Sequence, residues 1–149
     1  MNEKKLTKMD KEADKVISSW TFKTLAGNLL PPPLDTLIVG AAFARMGQKI
    51  GDIYGVKMDW DHLVKMGKAM VKGVGAVAGA SYVGTSMLKY VPGVNIWVAL
   101  LVQPPIVAAI TYSVGNAFKQ YYYVHITTGK DMTPEQMRKT AETLLKMKL

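Results

Sequence analysis

The 149-residue chain contains no cysteine and only two histidines, His62 and His125. Without cysteine it can form no disulfide, no thiol nucleophile and no cysteine metal site, and two isolated histidines provide no ligand cluster. A phosphate-binding loop is also lacking, because the glycine-rich stretch from Gly73 to Ala80 follows no predicted strand and carries no Gly-Lys-Ser/Thr. We therefore predict no metal, no cofactor and no catalytic residues, and thus a protein that is not an enzyme.

Charged residues are scarce as well, at 20% of the chain, and they leave a formal net charge of +8. This balance favours an anionic partner: nucleic acid, an acidic protein or the anionic face of a membrane. The run QYYYVH beside Lys119 lacks the strand pattern of RNA-binding modules, so it predicts core or interfacial aromatics and disfavours nucleic acid. The N-terminus lacks the apolar core of a secretory signal, which predicts a cytoplasmic start.

Prolines and glycines divide the chain into helical segments. Apolar residues recur at helical spacing from Asp10 to Leu30 and predict a first helix. The run PPPLD must end it, since proline lacks the N–H donor and pushes the preceding residue out of the α region. Asp35 then stands at an N-cap position and begins a second helix that stops at Gly55. These two helices form one predicted hairpin.

A second hairpin follows, and a weak internal repeat relates it to the first. Asp59 caps a third helix that extends to Leu88, and Asn95 begins a fourth after the turn YVPGVN. The turn residues Pro33-Leu34-Asp35 of the first hairpin align with Gly93-Val94-Asn95 of the second. We therefore predict that the two turns have similar backbone conformations.

A short amphipathic helix is predicted at the C-terminus. Thr133 is its N-cap, Pro134 occupies the first helical position, and Gln136 completes a capping box with Thr133. Its apolar residues lie on one face, which predicts packing on a partner, on the body of the protein or on lipid: Met137, Ala141, Leu144 and Leu145.

Together these segments predict an all-α fold of two consecutive helical hairpins, with four main helices, and a C-terminal amphipathic helix. The predicted boundaries are a charged N-terminal segment at 1–12, a double-hairpin domain at 13–128 and the amphipathic helix at 129–149.

The second hairpin raises the question of a membrane. No charged residue occurs from Tyr90 to Phe118, and a bilayer core of about 30 Å needs about 20 apolar helical residues. The third helix has fewer uncharged positions, and Pro104-Pro105 must kink or break the fourth, so crossing and shallow insertion both remain open. The lysines that flank these segments predict a cytoplasmic base that binds anionic lipid headgroups: Lys65, Lys68, Lys72 and Lys119.

Small and aromatic residues complete the predicted membrane hairpin. A small-residue seam on the third helix predicts close helix packing: Gly75, Ala76, Gly79, Ala80 and Gly84. A hairpin tip at the opposite interface is predicted from four residues around the second turn: Tyr90, Pro92, Gly93 and Trp97. Against insertion stand a mean hydropathy of only +0.09 and the charges of the second helix, Arg45, Lys49 and Asp52.

Five stretches, taken in order, resemble a known family, the YcjF-like, GTPase-associated domain of unknown function, number 697 in that series. They are ADKVISSWT (13–21), LLPPPLDTL (29–37), IYGVKMD (53–59), VKGVGAVAG (71–79) and LKYVPGVN (88–95). The resemblance implies an all-helical protein, often a membrane protein, that occurs fused to or beside small GTPases. It implies no catalytic residue. The chain departs from the family pattern at its triple proline and at Pro104-Pro105, and it carries no GTPase domain.

Two interpretations follow from these patterns. The first is a non-enzymatic membrane-associated scaffold or partner-recruiting protein at the cytoplasmic side of the inner membrane, with a GTPase, another protein or a second copy as partner. The alternative is a soluble, cytoplasmic helical-bundle adaptor or regulator of a GTPase. A third hypothesis, an enzyme or carrier with a cavity between the hairpins, rests only on the paired polar residues Asp35 and Asn95.

Overall fold

The computed structural model describes residues 3–27, 36–85 and 104–148, together with the side chains of 3–20, 39–78 and 108–148. Those ranges contain no strand and five helices: α1 (Glu3–Gly27), α2 (Thr36–Tyr54), α3 (Trp60–Thr85), α4 (Pro104–Thr128) and α5 (Pro134–Lys148). The predicted all-α class is confirmed. The two hairpin turns lie outside the described residues, and with them the predicted tip of Tyr90, Pro92, Gly93 and Trp97.

The helix ends follow from local chemistry. At Gly55 the backbone φ is 73°, a left-handed conformation that glycine adopts without a Cβ penalty. The N–H of Val56 donates to the carbonyl of Gly51 (2.9 Å) and that of Gly55 to Asp52 (3.3 Å), which is the Schellman pattern. The predicted end of the second helix at Gly55 is therefore confirmed.

The start of α5 shows the predicted capping box. The Thr133 N–H donates to Oε1 of Gln136 (2.8 Å), and the Gln136 N–H donates to Oγ1 of Thr133 (3.1 Å). The start of α1 differs from the sequence pattern, since α1 already begins at Glu3 within the charged segment. Helix α4 is described from Pro104 and Pro105 onward. Proline fits the first turn of a helix, because the N–H group that it lacks would have no partner inside the helix at that position.

Among the described residues, helices from different hairpins pack on each other more extensively than the two helices of one hairpin do. The closest neighbours of α2 and α5 are both on α3, and α1 lies along α4. Helix α4 contacts all four other helices. Its buried face carries Phe118 and Tyr122. These two residues, with Met46 and Ile50 of α2, are among the largest fully buried side chains.

Helices α2 and α3 cross at a glycine contact. A Cβ added to Gly67 would lie 2.5 Å from the carbonyl oxygen of Gly40, so the two backbones touch where neither residue has a side chain. Small residues permit such an approach. The contact lies N-terminal to the predicted seam, in which Gly75 is half-buried and Ala76 exposed; the surroundings of Gly79, Ala80 and Gly84 lie outside the described residues.

The apolar face of α5 packs on the body of the protein. Met137, Ala141 and Leu145 are completely buried, against α3 and α4. Gly73 of α3 allows close approach, because a Cβ there would meet the side chains of Arg138 and Glu142. The sequence left three packing partners open for this helix: another protein, the body of this protein, or lipid. In the structure its apolar face packs on the body.

Candidate functional site

The four lysines of the predicted membrane-binding base occupy two different settings. Lys65 and Lys72 are exposed on α3, and Lys68 is half-buried, with its backbone and Cγ packed beside Gly40 of α2. Lys119 lies on α4, which has only minor contacts with α3. The α3 lysines form one row, at the i, i+3 and i+7 spacing of a helix face, and the first and last of them are exposed.

Lys119 is held between α4 and α1. Its Nζ lies 2.5 Å from Oδ1 of Asp10 and 2.7 Å from Oδ1 of Asp14, and its side chain is only 13% exposed. Burial alone would lower the pKa of this ammonium group, but the hydrogen bonds and charges of Asp10 and Asp14 outweigh it and raise the pKa above its usual value. Lys119 thus joins two helices by an ion-pair network.

A shallow cleft of about 390 Å³ opens beside this ion pair. It is lined by Leu6, Thr7, Asp10, Tyr54, Asn116, Lys119, Gln120 and Tyr123. The Tyr54 hydroxyl has a raised pKa, chiefly because the residue is buried, with Lys119 opposing the rise and Asp10 and Asp14 adding to it. Because two carboxylates already pair with its one cation, the cleft offers no free positive charge to a ligand.

Two of the three consecutive tyrosines belong to the core. Tyr122 is completely buried, donates its hydroxyl to the carbonyl of Gly47 (2.8 Å) and stacks on Tyr54 at a ring distance of 6.0 Å. Burial raises its pKa. Tyr121 meets the Tyr122 ring edge-on at 5.3 Å, and Tyr123 is 50% exposed. Of the two roles predicted for this run, core and interfacial, the structure shows the core role for Tyr121 and Tyr122.

A second cleft brings together residues that the sequence analysis did not connect. It has a volume of about 610 Å³ and is lined by Trp20 of α1, Arg45, Gln48 and Lys49 of α2, and Trp60 of α3. From the sequence alone, the charges of Arg45 and Lys49 indicated only that the first hairpin does not span a membrane in the conventional way. Their spacing of four on α2 placed them on one face, but nothing in the sequence brought the two indoles to that face.

The described residues provide neither a membrane span nor a metal site. None of the helices in 3–27, 36–85 and 104–148 combines the length and the apolar character needed to cross a bilayer. The uncharged run continues into α4, where Val114, Ala117 and Phe118 are buried inside the bundle. No three metal-binding side chains come together in this part of the chain; His125 instead pairs through Nδ1 with Asp131 at 2.5 Å.

Comparison with known families gives a match along nearly the whole chain. The model of a domain of unknown function, DUF697, matches residues 1–147. The chain belongs to the DUF697 family. This membership confirms the resemblance carried by the five sequence stretches. It extends that resemblance over the whole of α1, which those stretches reached in part, and over α5, which they did not reach.

Among curated proteins, this DUF697 chain is similar to magnetosome membrane protein 22 of Magnetospirillum gryphiswaldense. The two are 28% identical over 114 residues, which cover 76% of this chain and 58% of the relative. The match therefore spans a little over half of the relative's length. No solved structure matches the chain.

Proposed function

We propose that this protein is a non-enzymatic, membrane-associated helical scaffold. The observation that carries the proposal is the charge pattern between α3 and α4: residues 86–103, which connect them, contain Lys89 as their one charged residue. An apolar segment of this length stabilises membrane attachment when its residues leave water. The similarity to a relative named as a magnetosome membrane protein supports the same function.

In this proposal the five-helix body stays outside the bilayer and the α3–α4 connection attaches it. Phe118 and Val114 are buried between helices, so the α4 end of the uncharged run serves the protein core. The exposed lysines of α3, Lys65 and Lys72, lie where they can attract anionic headgroups at the cytoplasmic face of the inner membrane. A headgroup contact by Lys119 would require its release from Asp10 and Asp14.

As a scaffold, the membrane-attached body would bind another protein or a second copy of this chain. Because the apolar face of α5 is already buried against α3 and α4, a recruited protein or a second copy would bind elsewhere on the surface. A GTPase as the recruited protein rests on the family resemblance alone.

Fractionation of cells that express the full chain tests the membrane association. We expect the protein in the membrane pellet after a carbonate wash and in the supernatant only after detergent. The double variant Val98→Asp/Leu101→Asp should move it to the soluble fraction, because charged residues in an apolar attachment segment are costly to bury. The matched control, Ser18→Asp/Ser19→Asp on exposed positions of α1, should leave the distribution unchanged.

Release of the unaltered chain by carbonate would contradict attachment through the α3–α4 connection. Equal behaviour of the two aspartate variants would contradict the role of residues 86–103. A fully soluble wild-type chain would contradict membrane association as a whole and favour the soluble adaptor.

A further inference from the structure

The cleft between Trp20, Arg45, Lys49 and Trp60 has the chemistry of a binding site for an anion. Its lining includes a guanidinium, an ammonium, a carboxamide at Gln48 and two indoles, but no carboxylate. It is formed by three helices, since α1 and α3 each supply an indole and α2 supplies the polar residues. Three rigid elements therefore hold one cluster of donors in place.

The two cations of this cleft have no acidic partner among the residues that the structure describes. Lys119 and Arg138 form ion pairs with carboxylates there, and His125 is hydrogen-bonded to Asp131. Arg45 and Lys49 are both exposed and lie one helical turn apart on α2. No described carboxylate lies within ion-pair distance of either cation, in contrast to the cleft beside Lys119, and the acids nearest to Lys49 and Trp60 in sequence, Asp52, Asp59 and Asp61, are not part of the lining. The positive charge of this lining attracts an anion.

The indoles indicate where that anion comes from. Trp60 is 40% exposed at the first position of α3, and Trp20 is half-buried with part of its surface packed on the core. A site for a free small molecule usually encloses most of its ligand, whereas this cleft is open to solvent. Exposed tryptophan beside arginine and lysine is typical of a surface that rests on lipid headgroups, because the indole prefers the layer between water and hydrocarbon.

We propose that this cleft binds the phosphate of an anionic phospholipid. Arg45 offers a planar pair of N–H donors to the phosphate oxygens, Lys49 adds a second positive charge, and Trp60 enters the headgroup layer. The site rests on the proposed membrane association and specifies its lipid contact. It differs from the lysine row of α3 in being a defined concave site on the α1, α2 and α3 surface.

Co-sedimentation of the full chain with lipid vesicles tests this site. One vesicle type contains phosphatidylcholine alone, and in the other a third of the lipid is phosphatidylglycerol. Arg45→Glu/Lys49→Glu should bind the anionic vesicles about 30-fold more weakly than the unaltered chain, or weaker still, because each basic residue near such a surface contributes about a factor of five. Arg45→Gln/Lys49→Gln, which removes the charges without repulsion, should show a smaller loss.

The matched control is Lys11→Glu/Lys15→Glu on α1, which has the same spacing, exposure and change of net charge. It should retain most of the binding. A loss equal to that of Arg45→Glu/Lys49→Glu would show that net charge alone governs the affinity, and it would overturn the site. Circular dichroism of each variant separates a binding defect from a folding defect, and the glutamine variant replaces the glutamate variant if the latter unfolds.

The remaining outcomes separate this site from the membrane function. If both cleft variants bind anionic vesicles as tightly as the unaltered chain, the site is wrong while membrane association stands. If the unaltered chain binds neither vesicle type and is also soluble in cells, both proposals fail. If inorganic phosphate, without vesicles, shifts the tryptophan emission at micromolar concentration and the glutamine variant abolishes that shift, the ligand is a soluble phosphate and the lipid assignment is overturned.

Discussion

Lys119 shows how one residue can serve the fold although its sequence position suggests a surface role. Its neighbours in sequence are an uncharged segment and a tyrosine run, which is the pattern of a membrane flank. Its partners, Asp10 and Asp14, lie more than 100 positions away, with a separation of 105 residues for the Asp14 hydrogen bond. The ion pair therefore depends on the packing of α1 on α4.

Replacing Lys119 with methionine should destabilise the protein by about 1 to 2 kcal/mol, because two neighbouring carboxylates lose the cation between them. Chemical denaturation of the variant measures the change in the free energy of unfolding. Lys11→Met, at an exposed position of α1, is the control and should change stability by less than about 0.5 kcal/mol. Equal stability of the two variants would contradict a structural role for the Lys119 ion pairs.

Tyr121 predicts a loss of stability in alkaline solution. Burial, and then the charge and hydrogen bond of Asp131, raise its pKa from 10.0 to about 12. A group whose pKa is higher in the folded chain stabilises the fold below the unfolded value, and this contribution is lost as the pH rises from about 10 towards 12. The denaturation midpoint should therefore fall across this interval.

Tyr121→Phe should make that fall shallower, while Tyr123→Phe, at a half-exposed ring, should leave it unchanged. Denaturation midpoints at several pH values, with tyrosinate absorbance followed in parallel, provide the measurement. A pH dependence that is identical in both variants would assign the alkaline transition to other groups.

The crossing of α2 and α3 depends on the absence of side chains at one point. Gly67→Ala should destabilise the protein by about 1 to 3 kcal/mol, because its new methyl group would meet the backbone carbonyl of Gly40, which cannot move alone. Gly73→Ala on the same helix is the comparison, since the atoms nearest to its methyl group would be side-chain atoms of Arg138 and Glu142. Thermal and chemical denaturation should show the larger loss for Gly67→Ala; the reverse order would contradict the described crossing.

The sequence predicts where single helices begin and end, but not where two helices touch. The ends at Gly55 and Thr133 were predicted because a left-handed glycine and a capping box act over a few residues. The contact between Gly40 and Gly67 was not, because many glycines in this chain have similar sequence surroundings and only tertiary packing selects two of them. The same limit applies to the cleft of Arg45 and Lys49, whose aromatic neighbours Trp20 and Trp60 come from other helices.

For the whole molecule, α5 is part of the core and does not form an appendage. Deleting residues 130–149 would expose the sites filled by Met137, Ala141 and Leu145 on α3 and α4. Each large apolar side chain contributes about 1.5 to 3 kcal/mol, so the deletion should destabilise the remaining helices by several kcal/mol. The helical circular dichroism signal should then fall by more than the loss of α5 alone explains. Size-exclusion chromatography should show association of the truncated chain.

A shorter deletion, of residues 147–149, serves as the control and should leave stability nearly unchanged, since Met147 is 77% exposed. A chain lacking 130–149 that melts at the same temperature as the full chain would mean that α1 to α4 form an independent bundle. The boundary predicted from the sequence at residue 129 would then mark a separable unit.

The central position of α4 has a mechanical consequence. This helix contacts α1, α2, α3 and α5, and it also receives the end of the α3–α4 connection at Pro104. Close-packed interiors have low compressibility and transmit strain, so a pull on that connection would be shared among all five helices. A membrane attachment at this point would behave as an anchor fixed to the helix that contacts each of the other described helices, and the body would follow it as a unit.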